Sequence, residues 1–280
     1  MSDKPRTPKD AHYARLRRAH RDPAAHAAAQ RSKPATPGEA VTDGLVRLYG
    51  LHTVRAALDN PRRTIRRMWA TRNALERLEL PTEPSLPFLF ELVEPRALDR
   101  ITGSEAVHQG VVIEAEPLRP QRLDALGDVT LVLVLDQVTD PHNVGAILRS
   151  AVAFGASAVI TTARHSPEEG GVLAKAASGA LEHIDLIEVR NLAEALETLN
   201  DSGFQTVGLD SEGPAEMEAS LSGGRIALVL GAEGKGLRQK TRQTVSTLAR
   251  LDMPGAIHSL NVSNAAAIAL YVARGFLRKG

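Results

Sequence analysis

Three short stretches of this 280-residue chain gather side chains that could do chemistry. DQVTDPHNVGAILRS at 136–150 carries Asn143 and Arg149, LVLGAEGKGLRQK at 228–240 carries Glu233 among glycines, and LDMPGAIHSLNVSNAAAIAL at 251–270 carries Ser259, Asn261, Ser263 and Asn264. Amides, hydroxyls and a carboxylate orient polar ligands through hydrogen bonds. A guanidinium, which stays protonated, can hold an anion or stabilise one as it forms. The glycines at 231–236 invite a nucleotide-binding reading. However, Gly236 follows Lys235 where a P-loop needs Ser or Thr, and Gln239 stands where a dinucleotide fingerprint needs glycine. What survives is a loop whose bare backbone can approach a ligand. A phosphate-binding α/β enzyme using that loop is a rival reading, and the failed spacing counts against it.

Each stretch also has a plainer account, set by the elements that must position it. Asp140-Pro141 reads as a helix start, an N-cap acceptor with proline at the first helical position. On the helix that follows, Val144, Ile147, Leu148, Ala151 and Val152 form one apolar stripe. Arg149 lies about 140° round from Val144, so it faces a cleft or solvent, and the helix alone favours solvent. Glu233 could equally be a surface acid. Some of Ser259, Asn261, Ser263 and Asn264 must cap the alanine-rich helix, yet four small polar residues exceed what one cap needs.

All three stretches fall within 128–280, where VTLVLVLD, ASAVITT, IDLIEV, FQTVGLD, RIALVLG and LARLDM alternate with helical patterns such as NLAEALETLN. Continuous apolar runs in that alternation predict a parallel α/β sheet covered on both faces, with ligands beyond the carboxyl ends of its strands. Residues 45–117, with LVRLYGLHTVRAAL, IRRMWAT, NALERLEL, FLFELVEP and HQGVVIEAEP, predict a small mixed α/β domain, and 118–127 a linker. Residues 1–44 hold five prolines and lack sustained apolar periodicity, which predicts a disordered tail.

Net charge is +1 overall but graded. Lys and Arg outnumber Asp and Glu nine to five in 1–44 and eleven to ten in 45–120, and trail fourteen to eighteen in 121–280. A basic front suits a polyanion such as nucleic acid. Arg62, Arg63, Arg66 and Arg67, followed by Trp69, combine charge with a stacking surface suited to RNA, against the plainer reading of an exposed charged loop. The chain has no cysteine, which excludes disulfides, thiolate metal sites and a cysteine nucleophile. None of its nine histidines forms a ligand pair such as HxxxH, so no metal is expected. The front lacks a secretory apolar stretch and no run approaches the roughly 20 apolar residues of a membrane span, so a soluble cytoplasmic protein is expected.

Taken together, DxVxDPxNxGAIxRSAxxFG at 136–155, LVLGxEGxGL at 228–237 and MxGxxxSLNVS at 253–263 resemble the three ordered motifs of the SpoU, or TrmH-type, RNA 2′-O-methyltransferases of the SPOUT superfamily. YGLHTVRAAL at 49–58 and HQGVV at 108–112 resemble that family's small RNA-binding module, and point to its members acting on a guanosine of large-subunit (23S) rRNA. The resemblance implies S-adenosylmethionine as donor, a trefoil knot in the C-terminal domain, and a homodimer whose active site draws on both chains. It places Asn143, Arg149, Glu233, Ser259 and Asn261 at catalytic positions. Gly231, Leu251, Met253, Leu260 and Ser263 fall at cofactor positions, held mostly through backbone groups. The chain departs from the family at Leu251-Asp252, where Ile-Pro is common before Met253. The resemblance often casts Arg149 as the base, but a guanidinium stays protonated in proteins. Arg149 reads instead as a fixed cation beside the developing alkoxide, with Glu233 or water as candidates for the proton's acceptor. A tRNA substrate, or a catalytically inert RNA-binding assembly factor of the same fold, are the alternatives.

Overall fold

The structure, a computed structural model, describes residues 44–164 and 169–279. The tail expected at 1–44 lies outside the described residues except for Gly44.

The first half builds a four-stranded sheet. β1 (Val46–Tyr49) leads into α1 (Leu51–Asp59), β2 (Ile65–Ala70) into α2 (Arg72–Arg77), β3 (Leu89–Leu92) into α3 (Pro95–Thr102), and β4 (Val111–Ala115) closes the set. The order is β1-β4-β2-β3, with β2 parallel to β3 and the other pairs antiparallel. α3 has no counterpart in the sequence reading. Its only fully buried residue is Leu98, and its one clear signal is Pro95 at the first helical position. Helices cover both sheet faces: Met68 and Ile113 join the main core, while Trp69 and Val112 meet Leu98. Trp69 is therefore buried, not the RNA-stacking surface expected of it.

The second half is the expected parallel sheet. β5 (Leu131–Asp136), α4 (Pro141–Ala153), β6 (Ala158–Thr162), α5 (Gly171–Ala177), β7 (Asp185–Val189), α6 (Leu192–Asp201) and β8 (Gln205–Leu209) run in order. β9 (Ala215–Glu216), α7 (Met217–Ser220), β10 (Ile226–Gly231), α8 (Gln239–Thr244), β11 (Thr247–Arg250) and α9 (Val262–Leu277) follow. Seven strands stand in the order β7-β6-β5-β10-β8-β11-β9, every pair parallel. Alternation along β5 sends Leu131, Leu133 and Leu135 to one core and Val132 and Val134 to the other, which is why the strand reads as an unbroken apolar run. Gln121, just before β5, bridges to Ile187, and its N–H donates to the Leu186 carbonyl at 2.7 Å, so residues ahead of β5 cover the edge strand β7.

The two sheets meet over α5 and a short 3₁₀ turn, Ala180–Glu182. There the Arg63 side chain is fully buried. Its Nη2 donates to Glu182 Oε1 at 2.5 Å, its Nε to the same carboxylate at 3.1 and 3.2 Å, and its Nη1 to the Glu116 carbonyl at 2.8 Å. Asn60 Nδ2 donates to the other side of Glu182 at 2.6 Å, and Glu169 Oε1 lies 2.7 Å from Arg63 Nη2 without a directed hydrogen bond. Burial opposes the charged guanidinium, but the two carboxylates outweigh it and hold Arg63 above the usual range. Arg63 therefore leaves the group expected to touch RNA: a buried cation locked to two carboxylates joins the halves of the chain instead.

Candidate active site

The carboxyl ends of β5 and β10 lie side by side, Gly231 opposite Asp136. From β5 the chain goes on to β6 and β7 on one side, while β10 and β8 stand on the other. This is the switch point where open α/β sheets bind ligands. The first two motifs leave the sheet here.

After β5, Asp140 caps α4 by accepting from the Asn143 N–H at 2.9 Å, which fixes Asn143 in the first turn. Val144, Ile147, Leu148 and Ala151 are buried and Val152 is half-buried, so the stripe read from sequence is the packed face. Arg149 is exposed and has no hydrogen bond or ion pair among the described residues. It stands six residues from Asn143, about 9 Å along the helix and 240° round it. After β10 the chain doubles back sharply. A Cβ on Gly231 would lie 2.1 Å from the Gly236 carbonyl carbon, and the Gly236 N–H donates to Ala232 at 2.9 Å. Only glycine fits at 231. Asp136, fully buried at the end of β5, pins the far side of this loop: its carboxylate accepts from Arg238 N–H at 2.9 Å and Arg238 Nε at 2.6 Å. Sequence reasoning passed over this pair. The available signal was a carboxylate ending an apolar strand, which burial obliges to find a donor.

Asn261 draws the three stretches together. It caps α9 by accepting from Ser263 N–H at 2.9 Å, and its Nδ2 donates to Asn143 Oδ1 at 3.0 Å and to Glu233 Oε1 at 2.5 Å. Glu233 Oε1 also accepts from the Val262 N–H at 3.3 Å, a carboxylate at the positive end of a helix. The Ser263 hydroxyl donates to Asn261 Oδ1 at 2.5 Å, so its side chain serves the cap. Asn143 and Glu233 line a cleft of about 450 Å³ together with Val138, Ala232, Lys235 and Val262. That volume suits a small-molecule ligand, which takes about 300–1,000 Å³.

The other expected positions do not line this cleft. Leu251 and Met253 are half-buried, whereas Asp252, Ser259 and Leu260 are exposed on the segment before α9. Among the described residues, no backbone hydrogen bond outside helices and strands involves residues 251–260. Their backbone groups are therefore not spent on loop hydrogen bonds among the described residues. Among the described residues there is no metal-binding cluster of His, Asp and Glu, and no helix is long and apolar enough to cross a membrane.

Of the arginines expected to contact RNA, Arg62 pairs with Asp185 at 2.6 Å, Arg66 with Glu116, and Arg67 with Glu91 at 3.8 Å while lying over Trp69. All three reach solvent, but their charge is already offset.

Residues 130–271 match the SpoU rRNA Methylase family, and residues 47–121 match the family of RNA 2′-O ribose methyltransferase substrate binding domains. The 23S rRNA (guanosine-2′-O-)-methyltransferase RlmB of Pseudomonas putida is 39% identical over 241 residues, 82% of this chain and 96% of that protein. RlmB of Escherichia coli K12 is 35% identical over 235 residues, 81% of this chain and 96% of that one. The AdoMet-bound rRNA methyltransferase of Sinorhizobium meliloti superposes on 84% of this chain and 88% of its own, with a TM-score of 0.68 at 25% identity. AviRb of Streptomyces viridochromogenes shares the fold over 85% and 92% of the two chains, with a TM-score of 0.72 at 22% identity. With three motifs in order, meeting at Asn261, and matches that span both sheets, the chain belongs to the SpoU rRNA methylase family.

Proposed function

We propose that this chain methylates the ribose 2′-hydroxyl of a guanosine in 23S rRNA, using S-adenosylmethionine. The observation that carries the reading is the Asn143–Asn261–Glu233 junction at the strand ends, in a chain whose relatives carry that activity in their names. When bound, S-adenosylmethionine supplies an electrophilic methyl group. In this reading the tight loop at Gly231 and the backbone of 251–260, including Leu251, Met253 and Leu260, would hold it. The close turn at Gly231 and the absence of loop hydrogen bonds over 251–260 among the described residues support this.

A ribose hydroxyl is a weak nucleophile, so its proton must leave and the developing charge must be met. Arg149 meets the charge: its guanidinium stays protonated, projects off the packed stripe and is free of partners among the described residues. Glu233 Oε1 is taken by Asn261 and Val262, which leaves Oε2 as the acceptor this geometry offers for the proton. Asn261, itself anchored on Asn143, holds that carboxylate in place, and the exposed hydroxyl of Ser259 stands ready to contact substrate.

The reading includes a homodimer. Arg149 does not line the cleft of its own chain, and α9 exposes Ile268 and Tyr271, one turn apart, with Ile257 and Leu260 also bare ahead of the helix. A second copy would cover these side chains and bring an Arg149 to its partner's cleft. The reading also includes the family's knot, a cytoplasmic location and RNA contact by the domain at 45–117.

Mapping 2′-O-methylation across rRNA and tRNA in cells lacking the protein tests the proposal. Loss of one guanosine methyl in 23S rRNA is expected. A methyl missing from tRNA with 23S rRNA intact would overturn the substrate, and purified protein with no affinity for S-adenosylmethionine would favour an inert assembly factor.

A further inference from the structure

Each arginine of the run at 62–67 already has a carboxylate partner within the chain. The junction between the two sheets offers a different set of cations. Lys175 lies on α5, whose neighbouring residues serve both halves: the Ala174 carbonyl accepts from Thr53 Oγ1 of α1 at 3.2 Å, and Ala176 packs where a Cβ on Gly145 of α4 would come within 2.4 Å of it. Lys175 Nζ reaches across to Gln109 Oε1 at 3.1 Å, an oxygen that also accepts from the Leu51 N–H at 3.1 Å. The ammonium sits close against two turns with left-handed backbone. A Cβ on Gly50 would stand 2.6 Å from Lys175 Nζ, and Gln109 itself sits at φ 56°, a left-handed conformation uncommon for a side-chain-bearing residue.

This lysine has a built surrounding but no counter-charge. Among the described residues no carboxylate pairs with it, and partial burial lowers its pKa from the ordinary 10.5. An exposed, unpaired arginine stands next door: the N–H of Thr71, immediately before Arg72, donates at 2.8 Å to the carbonyl of Gly110, the residue after Gln109. Because β2 and β3 are parallel neighbours and β4 starts opposite the end of β2, the starts of α2 and α3 share this end of the sheet with Gly50 and Gln109. Arg96, in the first turn of α3, is exposed and unpaired among the described residues too. From this sheet end, α5 leads to α4 at Gly145, one turn before Arg149.

We propose that the RNA backbone crosses from the four-stranded sheet to the catalytic half at this end. There a phosphate accepts from Lys175 Nζ and the Arg72 guanidinium, and Arg96 meets the strand further out. The inference rests on the RNA methyltransferase reading and adds where the substrate lies. A phosphate supplies the anion that Lys175 lacks, and a path over α5 delivers the ribose towards Arg149.

The test uses the full-length chain and a fluorescent 23S rRNA transcript, with binding followed by anisotropy between about 50 and 200 mM salt. Lys175→Gln and Arg72→Gln should each weaken binding several-fold and make the plot of log affinity against log salt shallower by about one contact. Lys175→Arg should keep the wild-type slope. S-adenosylmethionine affinity by calorimetry and the urea midpoint from Trp69 fluorescence should not move. Wild-type affinity and slope in both Gln variants would overturn the proposal. So would weaker binding by Lys175→Gln that comes with a fallen urea midpoint and an unchanged slope, because that is the mark of a purely structural lysine. Wild-type protein that binds the transcript without methylating it would count against the reaction, while loss of affinity in the variants would still support this surface.

Discussion

Replacing Arg63 with methionine should loosen the two halves of the chain in a way that grows with pH. The guanidinium is buried with the Glu182 carboxylate, side-chain exposures of 0% and 1%, and sits 2.7 Å from Glu169. Methionine fills most of the space but leaves two carboxylates facing each other in an apolar junction. Removing one partner of a buried ion pair costs about 3–5 kcal/mol, a large share of the roughly 5–15 kcal/mol that keeps a domain folded. With a urea dependence near 3 kcal/mol/M, the unfolding midpoint falls by roughly 1–2 M. Trp69 is the single tryptophan and is buried within the four-stranded sheet, so its fluorescence reads this transition directly. The pH direction follows from Glu169. Burial raises its pKa above the ordinary 4.5, and Arg63 is the main influence pulling it back. A carboxyl raised on folding gives stability that is present below its unfolded pKa and lost as pH climbs through the folded one. Without Arg63 the folded value rises further, so the deficit should deepen upward from about pH 4.5. Changing Glu169 and Glu182 to glutamine in the same chain should restore most of the loss, since no buried charge is then left alone. A midpoint in Arg63→Met equal to wild type at pH 7.5, or a deficit that shrinks as pH rises, would refute the reasoning.

Arg149→Ala should lower methyl transfer about 10²- to 10³-fold with cofactor affinity intact, and Arg149→Lys should keep part of the rate; equal, full activity in both by single-turnover assay would remove the electrostatic role. Asp136→Ala leaves the Arg238 N–H without its acceptor, a loss of about 1–3 kcal/mol, and should weaken S-adenosylmethionine binding in calorimetry. Unchanged affinity would mean the glycine loop holds its shape without the clamp. Ile268→Asp or Tyr271→Asp should give a monomer by light scattering and abolish activity, whereas an intact dimer would place the interface elsewhere on the chain.

The parts legible in the sequence were those governed by local periodicity. The stripe from Val144 to Val152 follows from 3.6-residue spacing, and β5 reads as a strand because both its faces are covered. Asn143, Glu233 and Asn261 stood out as polar side chains next to a helix start or a glycine turn, although their junction could be seen only in three dimensions. What escaped were interactions whose partners lie far along the chain. Arg62, Arg63, Arg66 and Arg67 read as one basic patch, yet Arg62 and Arg63 find Asp185 and Glu182 more than a hundred residues away, and Arg66 finds Glu116 fifty residues on. A run of like charge fixes only that each member needs an anion; the fold decides whether protein or RNA provides it. Lys175 shows the converse. It is a single lysine in an alanine-rich helix with nothing in its neighbourhood to mark it, and it gains meaning only when Gly50 and Gln109 come up against it from the other sheet. Charge clustering along a sequence therefore does not say which of its members stay unpaired once the chain folds. Charge left uncompensated after folding is a second guide, and it is the one on which the proposed path past Lys175 and Arg72 rests.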